Sequence, residues 1–139
     1  MYNNIQFIVK RYSINLMLLI IMSINSSFIN QENTIEKIKK AIEITSPREI
    51  INLLHDDYEL NIENELINSN KNKTELVLKN FFDQQPLKTL NFIHEGEVNN
   101  EINYILAEYK TETSSYSIII FIKKKFDNLK ISRLIINKE

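Results

Sequence analysis

The chain has 139 residues, a net charge of −1 and no cysteine. This length favours a single domain, and the lack of cysteine excludes disulfides and thiol-linked lipids. Without Lys10 and Arg11, which belong to the N-terminal segment discussed next, the net charge becomes −3. A domain with that charge has no overall positive field to attract nucleic acid, so we predict no nucleic-acid partner.

The N-terminal segment has the layout of a secretory signal peptide. Its two basic residues precede an apolar stretch from Ile14 to Ile24, and the small polar residues Asn25 to Ser27 follow. The stretch is shorter than the roughly 20 residues needed to cross a bilayer. We predict a cleaved signal peptide at 1–27 and one exported domain at 28–139, periplasmic or extracellular. A retained membrane anchor at 14–24 and a buried helix remain as alternatives.

Three helix starts share one capping pattern, in which Asn or Ser precedes a Glu by three residues. The pairs are Asn33 with Glu36, Ser46 with Glu49, and Asn72 with Glu75. Pro47 strengthens the second start, because proline is well tolerated at the first helical position. Each start leads into apolar residues spaced for one helix face. We predict a first helix that is capped by Asn33 and carries Ile35, Ile38 and Ile42 on one face, a second from Pro47 to about Leu54, and a third from Lys73 to about Asp83.

The remaining sequence is typical of strands. Apolar and polar residues alternate from Tyr58 to Ile62, and Glu65 to Ile67 is the expected return strand. Four long runs follow, joined by separators short enough for hairpins, so we predict an antiparallel meander without crossover helices. Long strands of this kind curve, and three helices on one side would close them into a cone-like half barrel. The runs are Leu87 to Val98, Ile102 to Thr111, Tyr116 to Lys125, and Leu129 to Lys138.

This order of elements is similar to the nuclear transport factor 2-like (NTF2-like) superfamily, also described as cystatin-like. Residues 72–139 resemble a bacterial family of small exported proteins with a domain of unknown function. The stretches that carry this resemblance are Leu78 to Phe82 with Gln85-Pro86, Phe92 to Gly96, Ile120 to Lys125, and Ile131 to Ile136. The resemblance implies an α+β fold: three N-terminal helices packed on a curved antiparallel sheet of four long C-terminal strands plus a short strand pair.

The superfamily includes isomerases, dehydratases and cyclases that place Asp, His or Tyr inside the cone, and many non-catalytic binding domains. No matching acid–base pattern occurs here, so no catalytic residues are carried over. The candidate site residues are His94, Tyr104 and Glu108. By alternation, His94 shares a face of its strand with Leu90 and Phe92. If that face lines the cone, His94 could act as a general base or as a ligand donor. The alternative is a sheet-face histidine beside a bulge at Gly96, the only glycine.

Two further clusters have structural interpretations. His55-Asp56-Asp57 carries ligand-type side chains, but it lies between a predicted helix and strand, where capping and turn formation explain it, so we predict no metal site. The last hairpin is basic, through Lys123 to Lys125, Lys130, Arg133 and Lys138. We interpret it as a solvated hairpin end that discourages edge pairing. An anionic partner or a membrane surface is the alternative.

Three functional hypotheses follow. The first is a non-catalytic exported domain that binds a small apolar ligand or a protein partner. The second is a cofactor-independent isomerase or dehydratase with a cone pocket and His94. The third is an interaction module that forms a homodimer through the open face of its sheet. No cofactor is predicted, and the membrane is a partner only if residues 14–24 are retained. If the interior between helices and sheet is filled and His94 lies outside it, the enzyme hypothesis is rejected. An exposed apolar patch on the sheet would favour the homodimer hypothesis.

Overall fold

The computed structural model describes residues 34–67, 70–125 and 128–139. The predicted signal segment 1–27 and the predicted Asn33 cap lie outside these residues. In the ranges that are described, no helix is both long enough and apolar enough to cross a membrane.

Two short helices open the described chain. Helix α1 covers residues 34–43, and α2 covers Pro47–Leu53. Thr45, with a positive φ of 47°, lies in the turn between them. The predicted cap of α2 is confirmed, because Ser46 Oγ accepts a hydrogen bond of 3.4 Å from the backbone N–H of Glu49. The Ser46–Pro47 signal thus fixes where the chain turns from α1 into α2.

Helix α3 covers Lys71–Gln84 and begins two residues earlier than predicted. Its cap is Asn70, whose Oδ1 accepts a 3.0 Å hydrogen bond from the N–H of Lys73, so the prediction of Asn72 as the cap is wrong. Asparagine is a good cap at either position, and the extended backbone of Asn70 makes it the residue that caps. The helix ends before Pro86, as predicted.

Six strands occur in the described residues: β1 Leu54–Ile62, β2 Glu65–Ile67, β3 Thr89–Asn99, β4 Ile102–Lys110, β5 Ser115–Lys125 and β6 Asn128–Lys138. They form one curved, open sheet in the order β2-β1-β6-β5-β4-β3. The predicted meander is confirmed, since β3 to β6 pair antiparallel through three consecutive hairpins. The short pair β1–β2 is also an antiparallel hairpin, turned by Glu63 and Asn64, which both have positive φ.

One strand pair departs from the predicted antiparallel sheet. Strands β1 and β6 run parallel, with Leu60 opposite Leu134 and Ile62 opposite Ile136, so the sheet is mixed. The reason lies in α3, which returns the chain so that β3 starts in the same direction as β2. Three antiparallel hairpins then bring β6 back in the direction of β1. If a hairpin turn instead of α3 joined β2 to β3, β6 would run antiparallel to β1.

The helices cover one face of the sheet, which we call the helix-covered face. Its side chains are fully buried in the middle strands, among them Ile105, Ala107, Ile118, Ile120, Leu134 and Ile136. Four rings close one end of this core, with centroid separations of 5.2 to 6.2 Å among Phe81, Phe82, Tyr109 and Tyr116. Tyr109 Oη donates to the carbonyl of Gln85, and burial raises the pKa of Tyr109 to about 12. The side of the sheet that would line a cone is thus occupied by packed core.

Candidate functional site

Two recesses are prominent within the described residues, and neither of them lies between the helices and the sheet. One, of about 350 Å³, is lined by the α1–α2 turn around Pro47 and by α3 residues such as Lys79. The other, of about 370 Å³, lies on the face of the sheet opposite the helices. We call that second surface the open face. The space between helices and sheet is filled by side chains with almost no exposure, so the open face is where a site has room.

His94 lies on the open face, outside the core. In the β3–β4 ladder Phe92 pairs with Ala107 but His94 pairs with Leu106, so Ile93 is an extra residue. Such a bulge reverses the alternation of side chains that follow it. The next residue, Glu95, accordingly reaches the helix side and forms an ion pair with Lys39 of α1. The prediction that His94 shares a face with Leu90 and Phe92 is therefore wrong.

The three candidate residues do share one face. The ring of His94 lies 5.6 Å from that of Tyr104, and Glu108 follows Tyr104 on the same side of β4. Glu108, however, forms an ion pair of 2.7 Å with Lys110 and accepts a 3.3 Å hydrogen bond from Asn91. Lys110 first, and then Asn91, lower the pKa of Glu108. The carboxylate is thus held ionised by its neighbours, and its contacts within the described residues are to Lys110 and Asn91 rather than to His94.

Gly96 has a different role from the predicted one. Strand β3 departs from regular pairing at Ile93 and at Val98, whereas Gly96 itself pairs with Tyr104 and makes room for its ring. A Cβ on residue 96 would stand 2.8 Å from Tyr104 Cε1 and 3.0 Å from its Oη. The only glycine of the chain therefore lets Tyr104 lie flat across β3 on the open face.

The centre of the open face is apolar. Residues that pair side by side on β4, β5 and β6 form it, and each is half-buried: Tyr104, Leu106, Ile119, Phe121 and Ile135. The outward positions of β5 read Ser115, Ser117, Ile119, Phe121 and Lys123. Its inward positions already supply the core, so the core does not require apolar residues at the outward ones. The middle of β5 is apolar on both sides, a pattern typical of a strand covered on both faces.

Charged pairs flank this apolar centre at opposite corners. Arg133 Nε lies 2.5 Å from Glu59 Oε2, and its guanidinium lies 5.7 Å from the ring centre of Phe121. The diagonal corner carries the ion pair of Lys110 with Glu108. Arg133, Glu59 and Lys110 are each close to half exposed. An apolar centre with a polar rim is the anatomy of a protein interface.

Two asparagines on the same face have buried acceptors without donors. Asn61 pairs with Ile135 across β1 and β6, and Asn137 follows Ile135 on β6. In the described part of the chain, the Oδ1 atoms of both are shielded from solvent and accept no hydrogen bond. A shielded acceptor without a donor costs about 1–3 kcal/mol.

The recess of the open face lies at the end that carries His55 and Asp57. Both residues belong to β1, which starts at Leu54, so the prediction that they precede the strand is wrong. The local turn character is nevertheless present, because His55 Nδ1 accepts from the N–H of Asp57 at 3.1 Å and the β1–β6 register shifts there. Asp56 forms an ion pair with Lys125. Among the described residues, no group of His, Asp or Glu has the arrangement of a metal site.

A curved sheet in this strand order, with three helices on one side, defines an NTF2-like α+β domain. The family model described as "Domain of unknown function (DUF4783)" matches residues 35–137, so the chain belongs to that family. This confirms the resemblance stated from the sequence.

Solved structures agree with this fold. A DUF4783 family protein from Bacteroides uniformis is 21% identical, with a TM-score of 0.68 over 75% of this chain and 95% of its own. A DUF4783 family protein from Bacteroides ovatus is 20% identical, with a TM-score of 0.68 over 74% of this chain and 93% of its own. An NTF2-like protein from Cytophaga hutchinsonii is 14% identical, with a TM-score of 0.57 over 77% of this chain and 93% of its own. At such identities the likeness shows the fold alone. No curated protein matches the sequence.

Sequence reasoning named His94, Tyr104 and Glu108 but missed the rest of the open face. A sequence signal for the apolar open face was present in β5, because the five residues from Ile118 to Ile122 are all apolar instead of alternating with polar ones. Such a run in an antiparallel strand indicates that both faces are covered. The bulge at Ile93 left no signal, because no glycine or proline marks it.

Proposed function

We propose that this chain is an exported, non-catalytic interaction domain that binds a protein through the open face of its sheet. The observation that carries the proposal is the apolar centre around Ile119, which lies opposite a helix-covered face that is already filled. An apolar surface of this kind, rimmed by charges, is favoured as a protein-binding site.

Export is supported by the order of basic, apolar and small polar residues at the N-terminus. A mature chain that begins near residue 28 is expected in the periplasm or outside the cell. The measurement is intact mass and N-terminal sequencing of the protein recovered from fractionated cells of its host. Recovery of the uncut chain from the cytoplasm would contradict export.

Neither of the other sequence hypotheses has a comparable basis. A cone enzyme needs an open interior and a positioned base, yet the core is filled and His94 lies on the other side of the sheet. A small apolar ligand would need enclosure, and the described recesses lie at the surface with charged residues in their walls. A flat apolar centre fits a protein surface better than either.

The test is site-specific photo-crosslinking in living cells of the host. Phe121 is replaced by p-benzoylphenylalanine, which keeps an aromatic ring at the centre of the open face. The matched control carries the same residue at Leu76, an apolar residue that is 56% exposed on α3. We expect a discrete protein adduct from position 121 and none from position 76. No protein adduct from 121, or equal adducts from both, would refute the proposal.

A further inference from the structure

We infer that the recess at the end of the open face binds a free α-amino acid with an apolar side chain. This recess of about 370 Å³ is lined by residues of β1, β3, β4, β5 and β6. Such a ligand is a small molecule beside the apolar centre, so the site goes beyond the proposed function, which concerns the protein bound by that centre.

Irregular pairing in three strands makes room for the recess. Strand β1 advances by five residues, from 54 to 59, where its partner β6 advances by only two. Strand β6 carries Ser132 as an extra residue opposite β5, and β3 carries Val98 as an extra residue opposite β4. All three departures contribute to the wall of the recess. Bulges concentrate next to functional sites, so their convergence favours a binding site here.

One part of the wall presents hydrogen-bond donors that suit a carboxylate. Arg133 contacts Glu59 through Nε, whereas its two Nη groups form no hydrogen bond within the described residues. Those two groups are a fork that can bind a carboxylate through two parallel hydrogen bonds. Lys123 lies in the same wall, and its ammonium group has no ion-pair partner among the residues that the structure describes.

His55 adds a further donor to the same wall. Its Nδ1 accepts a hydrogen bond of 3.1 Å from the backbone N–H of Asp57, so the neutral ring carries its proton on Nε2. The ring therefore has an N–H group available at the recess that it lines. The carboxylate of a ligand would meet donors from three different strands.

Asp57 supplies the acceptor for an ammonium group. Its carboxylate has no ion-pair partner in the described part of the chain. It follows two residues before Glu59, which pairs with Arg133, so the backbones of Asp57 and Arg133 lie about 8 Å apart. In an α-amino acid a single carbon joins the ammonium and the carboxylate. With a hydrogen bond of about 2.9 Å at either end, the molecule spans a gap of this order.

The charges in the wall balance, which favours a zwitterion over a simple ion. Arg133 and Lys123 are cationic, while Asp57 and Glu59 are anionic. A simple anion would lie against Asp57 and a simple cation against Lys123, and each repulsion would lower the affinity. A quaternary ammonium prefers several aromatic faces, yet the phenyl ring of the wall, Phe121, already faces the Arg133 guanidinium at 5.7 Å. A primary ammonium donates three hydrogen bonds and suits a carboxylate instead.

The rest of the wall explains the apolar side chain. Val98, which is 58% exposed, lies in the wall together with Ile102 and Phe121. An apolar side chain over these residues would remove their surface from water and favour binding. Small-molecule sites range from about 300 to 1,000 Å³, so a recess of about 370 Å³ suits an amino acid better than a larger molecule.

The test is an NMR titration of the purified, ¹⁵N-labelled chain with L-phenylalanine. We expect saturable shift changes at the recess and a dissociation constant of about 0.1–10 mM, because the site is open to solvent. N-acetyl-L-phenylalanine lacks the ammonium and L-phenylalaninamide lacks the carboxylate, so each should bind about tenfold or more weakly. The dipeptide L-phenylalanyl-L-alanine separates the two charges and should also bind more weakly. Tighter binding of the dipeptide would overturn the free amino acid as the ligand.

Two isosteric variants connect each ligand group to its residue. D57N should weaken L-phenylalanine about tenfold and leave N-acetyl-L-phenylalanine unchanged, because that ligand has no ammonium. K123Q should weaken L-phenylalanine and leave L-phenylalaninamide unchanged, because that ligand has no carboxylate. D83N, which changes an exposed carboxylate on α3, is the control and should bind as the wild type does. If one variant fails to fold, the other variant and the ligand series decide.

The contrary outcomes are distinct from failure of the proposed function. Absence of saturable shift changes at the recess, or L-phenylalanine binding that neither D57N nor K123Q weakens, overturns the amino-acid site. A protein adduct from position 121 in cells would leave the proposed function standing in that case. Binding of L-phenylalanine without any protein adduct would refute the proposed function and leave the amino-acid site in place.

Discussion

The close approach of Gly96 and Tyr104 gives a sharp test of the side-chain positions on β3. In G96A the added Cβ would stand 2.8 Å from Tyr104 Cε1, whereas carbon atoms in contact are normally about 3.5–4.0 Å apart. The Tyr104 ring must therefore move by about 1 Å. It is half-buried on the open face, so it can turn outward rather than press into the core.

The expected free energies follow from two opposing effects. Turning the ring away from its rotamer costs about 0.5–1.5 kcal/mol. Replacing glycine by alanine within a strand returns about 0.5–1 kcal/mol. G96A should therefore change the free energy of unfolding by between about +0.5 and −1 kcal/mol. In a Y104A background the clash is absent, and the same substitution should stabilise the protein by about 0.5–1 kcal/mol.

The assay is urea unfolding of the four proteins of this double-mutant cycle, followed by circular dichroism. The decisive quantity is the difference between the effects of G96A with and without Tyr104, expected near 1 kcal/mol. Equal stabilisation in both backgrounds would mean that the Tyr104 ring does not lie over Gly96. In that case the register after the Ile93 bulge would be wrong, and with it the position of His94.

Two further predictions concern the α3 cap and a buried tyrosine. N70A removes the cap and should lower the free energy of unfolding, measured in urea, by about 1 kcal/mol. The control N72A lies within the first turn of α3 and should change that free energy by less than about 0.5 kcal/mol. Burial raises the pKa of Tyr109 from 10.0 to about 12. The stability that the neutral tyrosine contributes is therefore fully present below pH 10. As the pH rises from 10 to 12, the free energy of unfolding should fall by about 2–3 kcal/mol. Y109F should abolish that alkaline loss in unfolding titrations, and an identical alkaline loss in Y109F would contradict the assignment.

Local signals were sufficient for most of the fold. The Ser46–Pro47 start, the stop at Pro86 and the four long strands each depend on neighbouring residues, so the sequence predicts them within a few positions. The parallel pairing of β1 with β6 is a different case. It joins residues that are more than 70 positions apart, and it depends on the direction in which α3 returns the chain.

The candidate site was harder to predict because one residue decides its geometry. Without the bulge at Ile93, His94 would face the helices together with Phe92, as the alternation predicts. With it, His94 joins Tyr104 and Glu95 turns to Lys39. A bulge without glycine or proline leaves no trace in the sequence pattern, so faces assigned by alternation are reliable only up to the first bulge.

The separation of the two sheet faces also explains why binding and folding can be tested independently here. On β5, Ile118 and Ile120 are fully buried under the helices, while Ile119 between them is only half-buried on the open face. Removing a buried isoleucine leaves a cavity and costs several kcal/mol. Reversing Arg133 or Glu108 disrupts a surface ion pair, for which the cost to folding is about 1 kcal/mol or less, together with the contact of Arg133 with the Phe121 ring or the hydrogen bond from Asn91 to Glu108. A large loss of association with little loss of stability would therefore locate the binding surface on the open face, whereas equal losses would place these residues in the structural framework.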